Sequence, residues 1–173
     1  MRLFIAVNFS QSVIERLVRI QQQIKKVCFS GNFTRMENLH LTLAFLGEID
    51  SLQVHIIKGI MDNITERPFK ISIGGIGSFS NRKGKIVWAG VEPSNELNSL
   101  QNQLAKGLAD SGFLLEDRPF KPHLTLAREV RFGKEKPTEF LPFEYAVTSV
   151  DLMVSEVVKG ALTYRLLYKK ELA

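Results

Sequence analysis

The pentapeptide His-Leu-Thr-Leu-Ala stands twice in this chain, at His40–Ala44 and again at His123–Ala127. Only three histidines are present, and two of them open these copies. In a β-strand successive side chains point to opposite faces. His40 and Thr42 therefore share one face while Leu41 and Leu43 take the other, and His123, Thr125, Leu124 and Leu126 repeat the division. Each copy reads as an apolar-backed strand that shows an imidazole and a hydroxyl to one side. Two such strands set opposite each other would bring both pairs into one cleft, so the fold is expected to contain two matching halves.

Two histidines in one cleft suit a reaction that removes a proton on one side of a centre and delivers one on the other. Histidine is the side chain whose ordinary pKa populates both protonation states near neutral pH. Phosphoester transesterification and hydrolysis fit this pairing, with nearby donors to stabilise the crowded anionic phosphorus. Thr42 and Thr125 are the candidate donors, although threonine is also an ordinary β-former. Arg128, directly after the second copy, is a candidate phosphate contact. Strict alternation puts Arg128 on the face opposite His123, so it serves only if the strand ends or bulges there. By the same alternation Phe45 falls with the leucines and is expected to be buried. A catalytic zinc site would need a third ligand; no other His or Cys lies near either copy, and His55 falls in a helix as a surface or boundary residue, so no metal is expected.

Around these motifs the chain resembles a known family, the 2H phosphoesterases, named for two His-x-Thr/Ser motifs. Within it the sequence looks like the bacterial and archaeal RNA 2′,3′-cyclic phosphodiesterases, often labelled 2′-5′ RNA ligases. Met1–Val7 (MRLFIAV) resembles the opening strand of that family and Glu37–Glu48 (ENLHLTLAFLGE) its first motif. Lys85–Glu92 (KIVWAGVE) resembles a middle strand, and Arg118–Arg128 (RPFKPHLTLAR) the second motif. Asn32–Met36 lacks the Trp and Pro often found before the first motif. The resemblance implies attack of water on a 2′,3′-cyclic phosphate at an RNA end, with tRNA fragments one candidate, to leave a 2′-phosphate without metal or other cofactor. It implies His123 as proton acceptor, His40 as proton donor, and Thr42 and Thr125 holding phosphate oxygens; the symmetry of the motifs does not itself decide which histidine does which. Two rival readings stay open: a small cyclic nucleotide or ADP-ribose cyclic phosphate as substrate, and a non-catalytic RNA-binding module.

Bulk properties fit these readings. A chain of 173 residues suits one domain, 1–173, in two lobes. The net charge of +5 favours a polyanionic partner such as RNA. No apolar run reaches the length of a membrane span, and Leu3–Val7 is too short for a signal peptide. The single cysteine, Cys28, excludes an internal disulfide and suits a reducing, cytoplasmic setting; it reads as a packing residue. No obligate protein partner and no membrane association are expected. Some of Phe45, Phe79, Trp88, Phe120 and Phe132 are candidates to stack a base, although most of the 12 phenylalanines must be core. Gly74-Gly75-Ile76-Gly77 lacks the Lys-Ser ending of a phosphate loop and reads as a bulge or a close backbone approach.

The periodicity predicts amphipathic helices over Ser10–Val27, with Ser12 and Glu15 at capping-box spacing, over Ser51–Thr65 with Leu52 and Ile56 on its apolar side, and over Ser94–Ser111 stopped by Gly112. Strands are expected over Leu3–Asn8, the two motif segments, Phe69–Phe79, Lys83–Val91, Phe143–Val157 and Leu162–Lys170, with 129–140 as a loop. The expected fold is α+β and bilobal with pseudo-twofold symmetry. Antiparallel sheets would line a central groove, with the helices packed outside.

Overall fold

A computed structural model describes all residues, Met1–Ala173. Two antiparallel sheets face each other across a groove, and three helices cover their outer faces. In chain order the elements are β1 (Arg2–Asn8), α1 (Gln11–Val27), β2 (Cys28–Phe33), β3 (His40–Glu48), α2 (Val54–Asp62), β4 (Phe69–Asn81), β5 (Gly84–Val91), α3 (Asn95–Asp110), β6 (His123–Phe132), β7 (Phe143–Val147), β8 (Ser149–Val158) and β9 (Ala161–Glu171). One sheet has the order β3-β1-β8-β9 and the other β2-β6-β5-β4-β7. The bilobal α+β expectation therefore holds. No helix is long and apolar enough to cross a membrane.

The two halves correspond in detail. β1 pairs with β3 so that Asn8 faces His40 and Ala6 faces Thr42; β5 pairs with β6 so that Gly90 faces His123 and Trp88 faces Thr125. Between the strands of each pair the chain makes a helix that packs on the other lobe: α1, after β1, lies against β2 and β6, while α3, after β5, lies against β3. This exchange ties the sheets together beneath the groove. The apolar stripe of α1 (Val13, Leu17, Ile20, Ile24) and that of α3 (Leu97, Leu100, Leu104, Leu108) close over the leucines behind both motifs in one continuous core.

Several sequence expectations are corrected. Ser10, not Ser12, precedes the first turn of α1, and Ser12 and Glu15 form no capping box: the Ser12 hydroxyl meets Ser10 Oγ, and Glu15 accepts from Gln11 Nε2. α2 starts only at Val54, after a 3₁₀ turn over Ser51–Gln53, which leaves Leu52 and Ile56 exposed. Ser94 caps α3 through Leu97 N, and Gly112 (φ +85°) ends it as expected. Phe143–Val157 is not one strand. The chain leaves one sheet after Val147 and enters the other at Ser149. β6 runs on to Phe132, into the stretch read as loop, and pairs there with β2, an edge strand the pattern did not reveal.

Candidate active site

Both motif histidines project into the groove and are held in the same way. His40 Nδ1 lies 2.7 Å from the carbonyl of Asn38, and His123 Nδ1 lies 2.6 Å from the carbonyl of Lys121, each two residues upstream. A carbonyl only accepts, so Nδ1 carries the proton in both rings and Nε2 is turned toward the cleft. His40 Nε2 meets Thr42 Oγ1 at 2.8 Å. His123 Nε2 has no protein partner. The strand expectation for the two His-x-Thr pairs is met, and the structure brings all four residues to one cleft of about 640 Å³.

Each imidazole is wedged against two aromatic rings. His40 packs on Phe4 (4.9 Å between centroids) and edge-on against Tyr164 (5.3 Å). His123 packs edge-on against Phe79 (5.3 Å) and beside Trp88 (6.1 Å). Trp88 can lie flat only because Gly77 faces it: a Cβ there would come within 2.0 Å of the indole. Gly75 has φ +77° where the β4–β5 register slips, so the glycine-rich segment is the bulge and close approach expected of it. The Lys121 ammonium sits over both Phe79 and Trp88, 5.1 Å from each ring centre.

A matched pair of β-bulges aims the side chains that come after the threonines. In β3 the register runs from Thr42 opposite Ala6 to Ala44 opposite Ile5, so Leu43 is the extra residue. In β6 it runs from Thr125 opposite Trp88 to Ala127 opposite Val87, so Leu126 is extra. A bulge reverses the alternation beyond it. Ala44 and Ala127 turn inward and are buried, while the next residues, Phe45 and Arg128, swing into the cleft. Arg128 therefore reaches the site by the bulge it required. Phe45, expected in the core, is instead 36% exposed and lines the cleft. The bulges are stabilised from behind. Gln21 of α1, 5% exposed, donates to Leu126 O and Thr34 O at 2.8 Å each, and Gln101 of α3 approaches Leu43 O at 3.5 Å.

Electrostatics favour neutral histidines in the cleft. Burial pushes the His40 pKa below its ordinary value, the Asn38 carbonyl opposes this, and the charges of Arg128 and His123 lower it further. His123 is lowered by burial, against the Lys121 carbonyl, and then by Arg128, Lys121 and Arg118. Arg128 thus lies close enough to both rings for either to sense its charge. Nowhere do three or more His, Cys, Asp or Glu side chains come together as ligands for an ion. His55 is exposed on α2, away from the motifs, and Cys28 is a half-buried residue at the start of β2. Sequence reasoning missed Arg2 and Tyr164 as cleft residues, and Phe45 as a cleft-facing one. For Phe45 a signal existed: apolar residues at 41 and 43 give way to 44 and 46, and 124 and 126 give way to 127, the same change of phase in both copies.

The arrangement can hold an anion between two imidazoles, with hydroxyls and a guanidinium on its flanks. Such an architecture, with a His-x-Thr strand from each lobe opening on a shared groove, is that of the two-histidine phosphoesterases. The chain belongs to the 2′-5′ RNA ligase superfamily, whose sequence profile matches residues 10–158. It is 39% identical to the RNA 2′,3′-cyclic phosphodiesterase of Archaeoglobus fulgidus over 137 residues, 78% of this chain and 76% of that protein. It is 30% identical to the enzyme of the same name from Thermotoga maritima, over 98% of this chain and 94% of the relative. Among solved structures, E. coli LigT complexed with 3′-AMP superposes with a TM-score of 0.87 at 29% identity, covering 99% of this chain and 97% of LigT.

Proposed function

We propose that this chain hydrolyses 2′,3′-cyclic phosphates at RNA ends, with tRNA fragments one candidate, to 2′-phosphates, and that residues 1–173 act as one two-lobed unit in the cytoplasm. The observation that carries this reading is the paired presentation of two Nε2 atoms to one cleft, each histidine fixed through Nδ1 by the carbonyl two residues before it. Water is placed at His123, whose Nε2 has no protein partner. As water attacks phosphorus, His123 Nε2 takes its proton, and the bond from phosphorus to the 3′ oxygen breaks. His40, protonated, delivers a proton from Nε2 to that oxygen, leaving a free 3′-hydroxyl and a 2′-phosphate. The three cations around His123 favour its neutral form and so support the base role. His40 has fewer cations near it, and binding of the anionic substrate raises its pKa toward the acid form.

Thr42 and Thr125 donate to non-bridging phosphate oxygens, and Arg128 meets the charge that grows on them at the pentacoordinate centre. Phe45, turned into the cleft beside Thr42, offers a ring face to the terminal base. By microscopic reversibility the same groups join a cyclic phosphate to a 5′-hydroxyl when water is outcompeted, which makes 2′-5′ ligation a reverse activity. The test is to incubate the protein with a 2′,3′-cyclic-phosphate RNA oligonucleotide in EDTA and identify the product by mass and phosphatase sensitivity. A 2′-phosphate is expected from the wild type and not from His123→Ala. A 3′-phosphate would reverse which oxygen leaves, and no product from a folded protein would overturn the assignment.

A further inference from the structure

Four guanidinium groups line the cleft, and their partners divide them. Arg35 is ion-paired with Glu37, and Arg118 with Glu116 at 2.7 Å. Arg128 and Arg2 have no carboxylate within ion-pairing distance. Arg128 is beside the histidines. Arg2 lies farther out along β1: Asn8 faces His40 at one end of the β1–β3 ladder, and Arg2 faces Glu48 at the other. Arg2 therefore lines the cleft at the end of that ladder away from His40.

Arg2 is also positioned. Its guanidinium lies over the Phe45 ring, 5.2 Å from the centroid. The start of β1 beneath it is tied down at Met1, whose carbonyl accepts from Ile49 N at 2.8 Å. A flat, permanently charged fork held on an aromatic face, with no internal partner, is suited to an anion brought by the substrate. The reacting phosphate belongs to the histidines and Arg128. What remains for Arg2 is the next negative charge along the chain.

We propose that Arg2 binds the phosphate on the 5′ side of the terminal nucleotide, so that the cleft prefers an RNA end, or a nucleotide bearing a 5′-phosphate, over a bare nucleoside 2′,3′-cyclic phosphate. This rests on the phosphodiesterase reading above and adds to it the residue that meets a second substrate phosphate. The shared chemistry is a phosphate one nucleoside away from the reacting one, as a diester in RNA or as a monoester in a 5′-nucleotide.

The test compares kcat/KM for adenosine 2′,3′-cyclic phosphate, its 5′-phosphorylated form, and a diadenylate ending in a 2′,3′-cyclic phosphate. In the wild type each substrate with a 5′-side phosphate should exceed the bare nucleoside by about tenfold or more, the size of a charge-assisted contact. In Arg2→Gln that ratio should fall to near one, and in Arg2→Lys it should be intermediate, since the charge stays and the fork is lost. A wild-type ratio near one, or a ratio that survives in Arg2→Gln, overturns the proposal. A preference for the diadenylate alone that persists in Arg2→Gln overturns it too, and assigns the gain to the second base. Failure of the wild type to turn over all three substrates would instead bring down the underlying reading, so the two failures are distinguishable.

Discussion

The β3 and β6 halves of the cleft share five identical residues, the same bulge and the same Nδ1 anchor, yet they have diverged around that frame. At the residue the bulge releases, the β3 half places Phe45 and the β6 half places Arg128. Behind the imidazole, the β3 half has Phe4 and Tyr164, with Ala6 opposite Thr42; the β6 half has Phe79 and Trp88, with Trp88 itself opposite Thr125. The cations nearest the imidazoles differ too: Arg128 bears on both, but Lys121 and Arg118 bear on His123 and not on His40. A duplicated scaffold thus supplies two similar proton carriers, and the residues just outside the repeat give them unequal surroundings. Chemical asymmetry arises here from the neighbours of the motif, not from the motif.

If the two imidazoles work as a pair, His40→Ala and His123→Ala should each reduce kcat by about 10²–10⁴-fold, the usual worth of a positioned acid or base. The double variant should be little worse than either single one, because groups that act in one step are not additive. Near-normal turnover by one of the singles would break the comparison outright. The divergent position sharpens it. Arg128→Ala should lower kcat by about 10²–10³-fold, as loss of a donor to the developing charge does. Phe45→Ala should act chiefly on KM, by the roughly 1–3 kcal/mol that stacking one base is worth. Equal losses of kcat in both variants would mean that the two sides of the cleft are not divided into charge and base recognition.

How much of this was legible depends on the kind of signal each feature leaves. The duplicated pentapeptide puts His40, Thr42, His123 and Thr125 on one face through plain alternation, and the structure agrees because strand geometry enforces it locally. Arg128 and Phe45 depend on where alternation fails, which requires noticing that two adjacent inward residues, Leu43-Ala44 and Leu126-Ala127, recur in both copies. The break between β7 and β8 leaves the same mark: Val147 and Val150, both fully buried, lie on opposite phases, and here the change marks the passage from one sheet to the other. β2 was not legible, since its pairing with β6 is interrupted by irregularities and Phe29 is 83% exposed, leaving no alternation to read. The carbonyls of Asn38 and Lys121 lie beyond any residue pattern, because every residue has a carbonyl and only the fold selects two of them.

The supports of the bulges offer a smaller effect that the comparison ranks in advance. Leu126 O keeps the backbone N–H of Thr34 (3.0 Å) when Gln21 is removed, but Thr34 O loses its Gln21 donor, and a buried acceptor without a donor costs about 1–3 kcal/mol. Gln21 makes two bonds at 2.8 Å from a nearly inaccessible site, whereas Gln101 makes one at 3.5 Å to the equivalent carbonyl of β3. Gln21→Leu should therefore lower unfolding free energy by roughly 1–3 kcal/mol, and Gln101→Leu by distinctly less. Denaturant melts of the two variants check this ranking. Gln21→Leu should also lose activity, because the β6 bulge it steadies aims Arg128. Equal stability losses would mean that packing, and not the glutamine bonds, holds the bulges.

The finest test concerns which histidine is the base. Both pKa values are lowered by burial and by neighbouring cations. The kcat/KM profile of the free enzyme should therefore be bell-shaped with its optimum on the acid side of the ordinary histidine value, about 6.5. The two apparent pKa values belong to the coupled pair, so the profile alone assigns neither limb. Lys121→Met supplies the assignment. It keeps the backbone carbonyl that anchors Nδ1 but removes a cation that bears on His123 and not on His40. Removing a positive charge favours the protonated imidazole, so the His123 pKa must rise. With His123 as the base titrating below His40, only the acid limb moves, to higher pH, and the bell narrows from that side. A shift of the alkaline limb instead would make His123 the group that titrates second, and the proton donor and acceptor would exchange places.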